Sequence, residues 1–411
     1  MLQNGPASQP TTAHLTTRRC RPVLALTAIA GLSLAVAACG SGPAPNALSA
    51  DKVTTTTVVA SSAEASPASG AALSATKDTR TPAEQLTGAG ANSAQPFLSR
   101  AFYYYGQANH GVSVNYSPAG SSVGISDIQQ RTVDFGQTEI PMSSADQAKA
   151  TGGAVLQVPV DLGGVAVSYN LPGVGKGLHL NGDVLASIYL GRVTHWNDPA
   201  IAALNPGRSL PSLAITPVHR ADSSGPGWDL DDYLIKTSTA WVQATGTSAP
   251  SKSWPKSSVG VGQQLNTGVG SYIQQTQGAI GYVEYAYAQR GGFDSAALLN
   301  RAGSYVAPSQ ASIAAAGAQA TDVSAANFDI VYGSGAGTYP LANFSWTLLY
   351  QRQPDADKGL TLGRLFDWVT TKGQQQAPAV GYAPLPANIV ALAHRTLLQL
   401  QDSSGQALFA S

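Results

Sequence analysis

Three times in this chain a short apolar run ends in a turn of small residues, and a helical pattern follows at once. The three junctions are "TGAGANSAQP" (Thr87–Pro96), "AGSSVG" (Ala119–Gly124) and "DSSGPG" (Asp222–Gly227). The body from Ala83 onward keeps the same rhythm. Strand patterns fall at Val112–Tyr116, Val133–Gly136, Val155–Val160, Val165–Tyr169, Ile215–Val218, Ile280–Val283 and Thr347–Tyr350. Helical patterns fall at Pro96–Gln107, Val123–Gln130, Gly182–Leu190, Trp228–Ile235, Leu360–Thr371 and Ala387–Leu398. Strands alternating with helices make an α/β architecture. A body of about 330 residues is long for one open sheet, so two domains are expected. There is no internal repeat.

The junctions also carry chemistry. N–H groups at a helix start, with the positive end of the helix dipole, bind anions, and small side chains let the backbone come close. One such loop is ordinary, because serine caps helices and glycine makes turns. Three in one chain point to an anion site, and the third has Arg220 four residues before Ser224. Charged residues are only 11% of the chain, so Arg220 and Asp222 stand out. Arginine is the natural bidentate partner of an oxyanion.

The second junction also reads G-x-S-x-G, from Gly120 to Gly124, which makes Ser122 the candidate nucleophile of a serine hydrolase. A triad would need one of His179, His195, His219 or His394. His394 lies within an amphipathic helical pattern, and His219 directly precedes Arg220, which opposes charging it. The binding reading is therefore preferred and no enzyme is expected. Neither CxxC, HExxH nor a carboxylate cluster occurs, so neither metal nor cofactor is expected. "GVGQQLNTGVG" (Gly260–Gly270) reads as a loop, and "FYYYG" (Phe102–Gly106) as core.

The first 39 residues contain no acid. Arg18, Arg19 and Arg21 precede an apolar run, Val23–Ala38, which is short for a membrane span. This is a secretory signal. Its ending, "VAAC", resembles the bacterial lipobox, in which Cys39 would be lipidated; an ordinary signal ending near a cysteine is the alternative. Cys20 leaves with the signal, so no internal disulfide can form. Gly40 to Pro82 is rich in Ser, Thr, Ala, Pro and Gly, and reads as a tether. The formal net charge is +0 with no basic run in the body, which argues against a nucleic-acid partner.

Taken in order, the body resembles the PstS family, the phosphate-binding proteins of the high-affinity phosphate ABC transporter. The resemblance runs from "LTGAGA" at Leu86 to "DSSGQALF" at Asp402. It is carried by "GSSVGISDIQQRTVDFGQTEIPMS", "IYLGRVTHWNDPAIAALNP", "VHRADSSGPGWDLDDYL", "GAIGYVEYAYA", "FDWV" and "YAPLP". It implies a two-lobed periplasmic-binding-protein fold of type II kind, with two α/β domains, each on its own sheet, joined by a hinge. Residues 1–38 would be the lipoprotein signal and 39–82 the lipidated Cys and linker. Residues 83–162 and 340–411 would form lobe I, and 163–339 lobe II.

The resemblance also implies a ligand shell of Asn92, Ser93, Ser121, Glu139, Arg220, Asp222, Ser224, Gly225 and Pro226, with Asp222 holding Arg220 in place. Four positions depart from the family pattern. Asn92 stands where Thr is usual, Ser93 where an aromatic or aliphatic residue is, Glu139 where Asp is, and Pro226 where Thr is. The implied role is delivery of inorganic phosphate to ABC permease subunits by a monomer, lipid-anchored at the outer face of the cytoplasmic membrane. Another oxyanion or phosphorylated ligand, or a sensing role, is the alternative.

Overall fold

The computed structural model describes residues 72–76 and 81–410. The signal, Cys39 and most of the tether lie outside the described residues. Within the span read as tether, β1 (Ser74–Ala75) pairs antiparallel with the strand at the other end of the chain, Phe409–Ala410. The Thr76 N–H extends this pairing to the Leu408 carbonyl at 3.0 Å. The edge that holds these residues comes from the far terminus, which local composition does not reveal.

The main sheet has nine strands. Its first three are β2 (Glu84–Gly90), β3 (Val112–Pro118) and β4 (Phe135–Thr138), and β2 lies parallel between the other two. β5 (Val155–Tyr169) is the spine: all fifteen residues are buried. The next three are β6 (Thr216–Arg220), β7 (Val261–Gln263) and β8 (Ala279–Glu284), and the last long one is β9 (Ala342–Tyr350). The spatial order is β3-β2-β4-β9-β5-β8-β6-β7, with Asp294–Ser295 added beside the end of β5.

β5 divides its pairing. Val155–Gly164 runs antiparallel to β9, and Val165–Tyr169 runs antiparallel to β8. The two halves of the molecule are thus joined through one long strand, where separate sheets were expected. The two strand patterns read at 155–160 and 165–169 are one strand, because Gly163 and Gly164 continue the ladder between them. Two large cores flank the sheet, one around Phe97, Phe102, Phe135 and Phe366, the other around Trp196, Tyr233, Trp241 and Trp346.

Helix α1 (Gln95–Ala108) shows why these elements form. Pro96 sits in its first turn, and Phe97, Leu98, Ala101, Phe102 and Tyr105 make one buried stripe. Burying each large side chain of that stripe contributes roughly 1.5–3 kcal/mol. The "FYYYG" run is therefore only half core: Phe102 and Tyr105 are inside, whereas Tyr103 is 62% and Tyr104 38% exposed. The Gly260–Gly270 segment is not a loop. It forms β7 and opens helix α4 (Leu265–Gln275), whose Val269 and Ile273 pack on Val218, Ala279 and Val283. That packing outweighs the poor helix propensity of Gly268 and Gly270.

Candidate anion site

Four strands end at one place. The carboxyl ends of β2, β3, β4 and β6 lead into Asn92–Ser93, Gly120–Ser121, Glu139 and Arg220–Ser224. Helices follow three of them: α1, then α2 (Ser121–Gln130), then α3 (Gly225–Thr237). In parallel α/β sheets this edge is where ligands bind. The three small-residue junctions of the sequence are brought together here.

Arg220 is the centre of charge. It is 2% exposed, and Asp222 grips it bidentately: Nε donates to Oδ1 at 2.7 Å, and Nη2 donates to Oδ2. The Leu265 N–H holds the same carboxylate at 3.0 Å. Nη1 of Arg220 is buried and has no hydrogen-bond partner among the described residues. An unsatisfied guanidinium N–H is costly to bury, and an oxyanion is what relieves it.

The helix starts complete the donor set. Ser224 caps α3 by accepting from the Gly227 N–H at 3.1 Å, which leaves its hydroxyl proton free to donate. Gly225 opens the helix and Pro226 follows as its second residue, without an N–H. Ser121 opens α2, and its Oγ accepts from the Glu139 N–H at 3.3 Å. Gly120, at φ 104°, has no Cβ to keep Asp222 and the Ser223 carbonyl away. Ser122 Oγ and Ser223 Oγ meet at 2.5 Å.

Glu139 closes the pocket. The Ser93 hydroxyl donates to its Oε2 and Asn343 Nδ2 donates to its Oε1 at 3.3 Å. Burial pushes its pKa up to about 8, against the pull of the Ser93 bond, with the Asp161 charge raising it further and Arg220 lowering it. At neutral pH this carboxyl is a hydrogen-bond donor as well as an acceptor.

Asn92 is engaged elsewhere. Its Nδ2 donates to the Tyr287 hydroxyl at 3.1 Å, and its Oδ1 accepts from the Asn266 N–H and side chain at 3.0 and 3.1 Å. It ties the β2–α1 turn to α4 and to α5 (Tyr285–Gly291). The Ser93 carbonyl accepts from the Tyr382 hydroxyl.

No histidine serves Ser122 among the described residues. His219 Nδ1 faces the carbonyl of Arg220, His394 pairs with Asp367, His195 meets Thr194, and His179 stacks on Tyr305.

Sequence reasoning passed over a set of buried acids behind Glu139. Asp229, Asp161 and Glu284 are each 4% exposed or less. Burial raises all three, Asp161 to about 7 and the other two well above the carboxylate range, where Glu139 adds repulsion. Asp229 lies in "GWDLDD" and Glu284 in "GYVEYAYA", so both were in view. Nothing local marked them as interior, because their partners lie up to 120 residues away.

Comparison with known proteins agrees with this geometry. Residues 75–370 match the family model described as a PBP superfamily domain. A protein named phosphate-binding protein PstS from Xylella fastidiosa strain Temecula1 is 39% identical over 76% of this chain and 84% of its own length. One of the same name from Pasteurella multocida is 37% identical over 75% of this chain and 89% of its own. Among solved structures, the phosphate binding protein of Stenotrophomonas maltophilia superposes with a TM-score of 0.59. It shares 18% identity and covers 76% of this chain and 94% of its own. That likeness shows a shared fold, the two-lobed one expected from sequence. By fold, by family model and by relatives matched over three quarters of its length, the chain belongs to the PstS family of phosphate-binding proteins.

Proposed function

We propose that this protein binds inorganic phosphate between its two halves and delivers it to the permease subunits of an ABC transporter. The observation that carries the reading is Arg220. It is a buried guanidinium, clamped by Asp222, with Nη1 left without a partner among the described residues, and it leads into the Ser224-capped start of α3. The ligand shell in this reading comprises Ser93, Ser121, Glu139, Arg220, Ser224 and Gly225. Asp222 orients the arginine, Asn92 ties the halves together, and Pro226 shapes the helix start. The lobes are 83–162 with 340–411, and 163–339. A lipid on Cys39 holds the protein, as a monomer, at the outer face of the cytoplasmic membrane. It does no covalent chemistry.

A second reading keeps the site and changes the ligand to another oxyanion or a phosphorylated molecule. Glu139 and Pro226 favour it, because both alter the pocket relative to the family pattern. Calorimetric titration with phosphate, sulfate and a phosphate monoester separates the two. Tight binding of phosphate alone is expected. A protein that ignores phosphate and binds the ester overturns the first reading.

A further inference from the structure

Two buried carboxyl groups share one amide. Asn343, on β9, donates from Nδ2 to Glu139 Oε1 at 3.3 Å and to Asp229 Oδ2 at 2.7 Å. The three residues come from three places in the chain: the end of β4, the second turn of α3, and the start of β9. None is more than 5% exposed. Among the described residues neither carboxyl has an ion pair, and Arg220 is already committed to Asp222.

The groups facing Glu139 deepen the imbalance. Ser93 meets it from the β2–α1 turn, Tyr116 from β3, Asp161 from β5, Arg220 from β6, Glu284 from β8, and Tyr382 from the segment after Gly381. Asp232 and Asp329, both bridged by Lys236, lie beyond Asp229. Four interior carboxyls, Glu139, Asp161, Asp229 and Glu284, therefore lie near one another, and Arg220, the guanidinium that acts on Glu139, already holds Asp222. A cavity of ≈ 220 Å³ touches Glu139, Asp229 and Asn343, so water and protons can reach the pair from its far side.

We propose that Asp229, acting through Asn343, is a positioning residue that sets how many protons the anion pocket holds, so that ligand uptake is linked to the proton shared by Glu139 and Asp229. The inference rests on the phosphate reading. Two carboxyls held to one amide in low dielectric do not both ionise near neutral pH. While Glu139 keeps the proton, its O–H donates to the bound anion, and the pocket takes dibasic phosphate as it stands. Once the pair has lost the proton, the bare carboxylate can only accept. The bound ligand must then be monobasic, or the complex must take up a proton from water.

The test counts protons. Phosphate is titrated into the protein calorimetrically from pH 6 to 9, in buffers of differing ionisation enthalpy, which gives protons taken up per phosphate bound. In wild type, uptake is expected to grow through the pH at which the pair ionises. Asp229→Asn removes the second charge and should lower that midpoint by about one pH unit. Asn343→Ala removes the donor that favours both anions and should raise it. Opposite shifts are the expected result, and general loosening of the pocket would not produce them. Curves coincident with wild type, or shifted the same way in both variants, overturn the proposal. If wild type binds no phosphate, the phosphate reading fails by itself. The carboxyl ¹³C titration of Glu139 in the ligand-free protein then decides the pair by the same opposite shifts.

Discussion

Glu139 lies so close over Gly225 that a Cβ on the glycine would overlap both its carboxyl and its own Cβ. The carboxyl at the end of β4 and the first residue of α3 are thus in contact. Only glycine at 225 permits this.

Gly225→Ala is therefore expected to hold the halves apart. Rotating the carboxyl away does not suffice, because the Glu139 Cβ is also in the way. Over-packing of this kind costs about 1–3 kcal/mol. Phosphate affinity should fall at least about fivefold, with a lower melting temperature in the ligand-bound protein. Unchanged calorimetric affinity would show that Gly225 and Glu139 do not meet in the working state.

Arg220→Ala should be more damaging. It removes the one guanidinium that the described residues bring to the site and leaves Asp222, whose side chain is 14% exposed, without its charged partner. Loss of a buried charge-assisted contact costs roughly 2–5 kcal/mol, so affinity should drop at least about thirtyfold. Arg220→Lys should recover little of it. An ammonium cannot grip Asp222 with two N–H groups and still present a third in a fixed direction. Equal affinities for the Lys variant and wild type would contradict the fork geometry.

The interior acids predict how stability responds to pH. Glu139 titrates at about 8 in the folded protein and Asp161 at about 7, both above their ordinary range. Between the ordinary range and these values the folded state binds more protons than the unfolded state. Stability contributed by these groups is full at low pH and is lost as pH rises toward 8. The melting temperature of the ligand-free protein should show this downward term between pH 5 and 8. Glu139→Gln mimics the protonated form and should flatten the slope and melt higher than wild type at pH 8. A variant as steep as wild type would mean that Glu139 is already ionised.

Some of this was legible in the sequence, for a physical reason. Strand, small-residue turn and helix are written within ten residues, so the starts of α1, α2 and α3 and the Arg220–Asp222 pair could be read locally. The start of α4 could not. Its glycines suppress the helical signal, and the packing of Val269 and Ile273 that overrides it comes from β6 and β8. Asn92 reads as a ligand donor, and its amide contacts with Asn266 and Tyr287, nearly two hundred residues away, have no local signal. The acids behind Glu139 share that cause. A carboxyl in "GWDLDD" reads as a solvated helix face until the fold buries it against Asn343.

The anchor can be tested apart from the site. Cys39 lies outside the described residues. Cys39→Ala should release the protein from membranes with its phosphate affinity and melting temperature intact. A variant that still sediments with membranes in high salt would remove lipidation as the anchor.

Pro226 gives the sharpest comparison of ligands. As the second residue of α3 it removes one N–H from the helix start and has no hydroxyl, while its ring suits the first turn. Pro226→Thr restores two donors beside Gly225 and Ser224. Each hydrogen bond to a charged ligand is worth roughly 1.5–3 kcal/mol, although a water in the proline protein recovers part of that. Phosphate should then bind at least tenfold more tightly in the Thr variant. The substitution also frees the unfolded backbone, so the ligand-free protein should melt slightly lower, by about 0.4–1 kcal/mol of stability. Gain in affinity with loss of stability separates a ligand contact from a general improvement in packing. The competing idea is that Pro226 and Glu139 together shape the pocket for a larger phosphoryl ligand. In that case Thr adds donors where the ligand's substituent must lie. Phosphate would be unaffected, while a phosphate monoester would bind more weakly in the variant than in wild type. Calorimetry on both proteins with phosphate, sulfate and the monoester distinguishes the two outcomes, because the first changes the affinity for phosphate and the second leaves it unchanged while weakening the monoester.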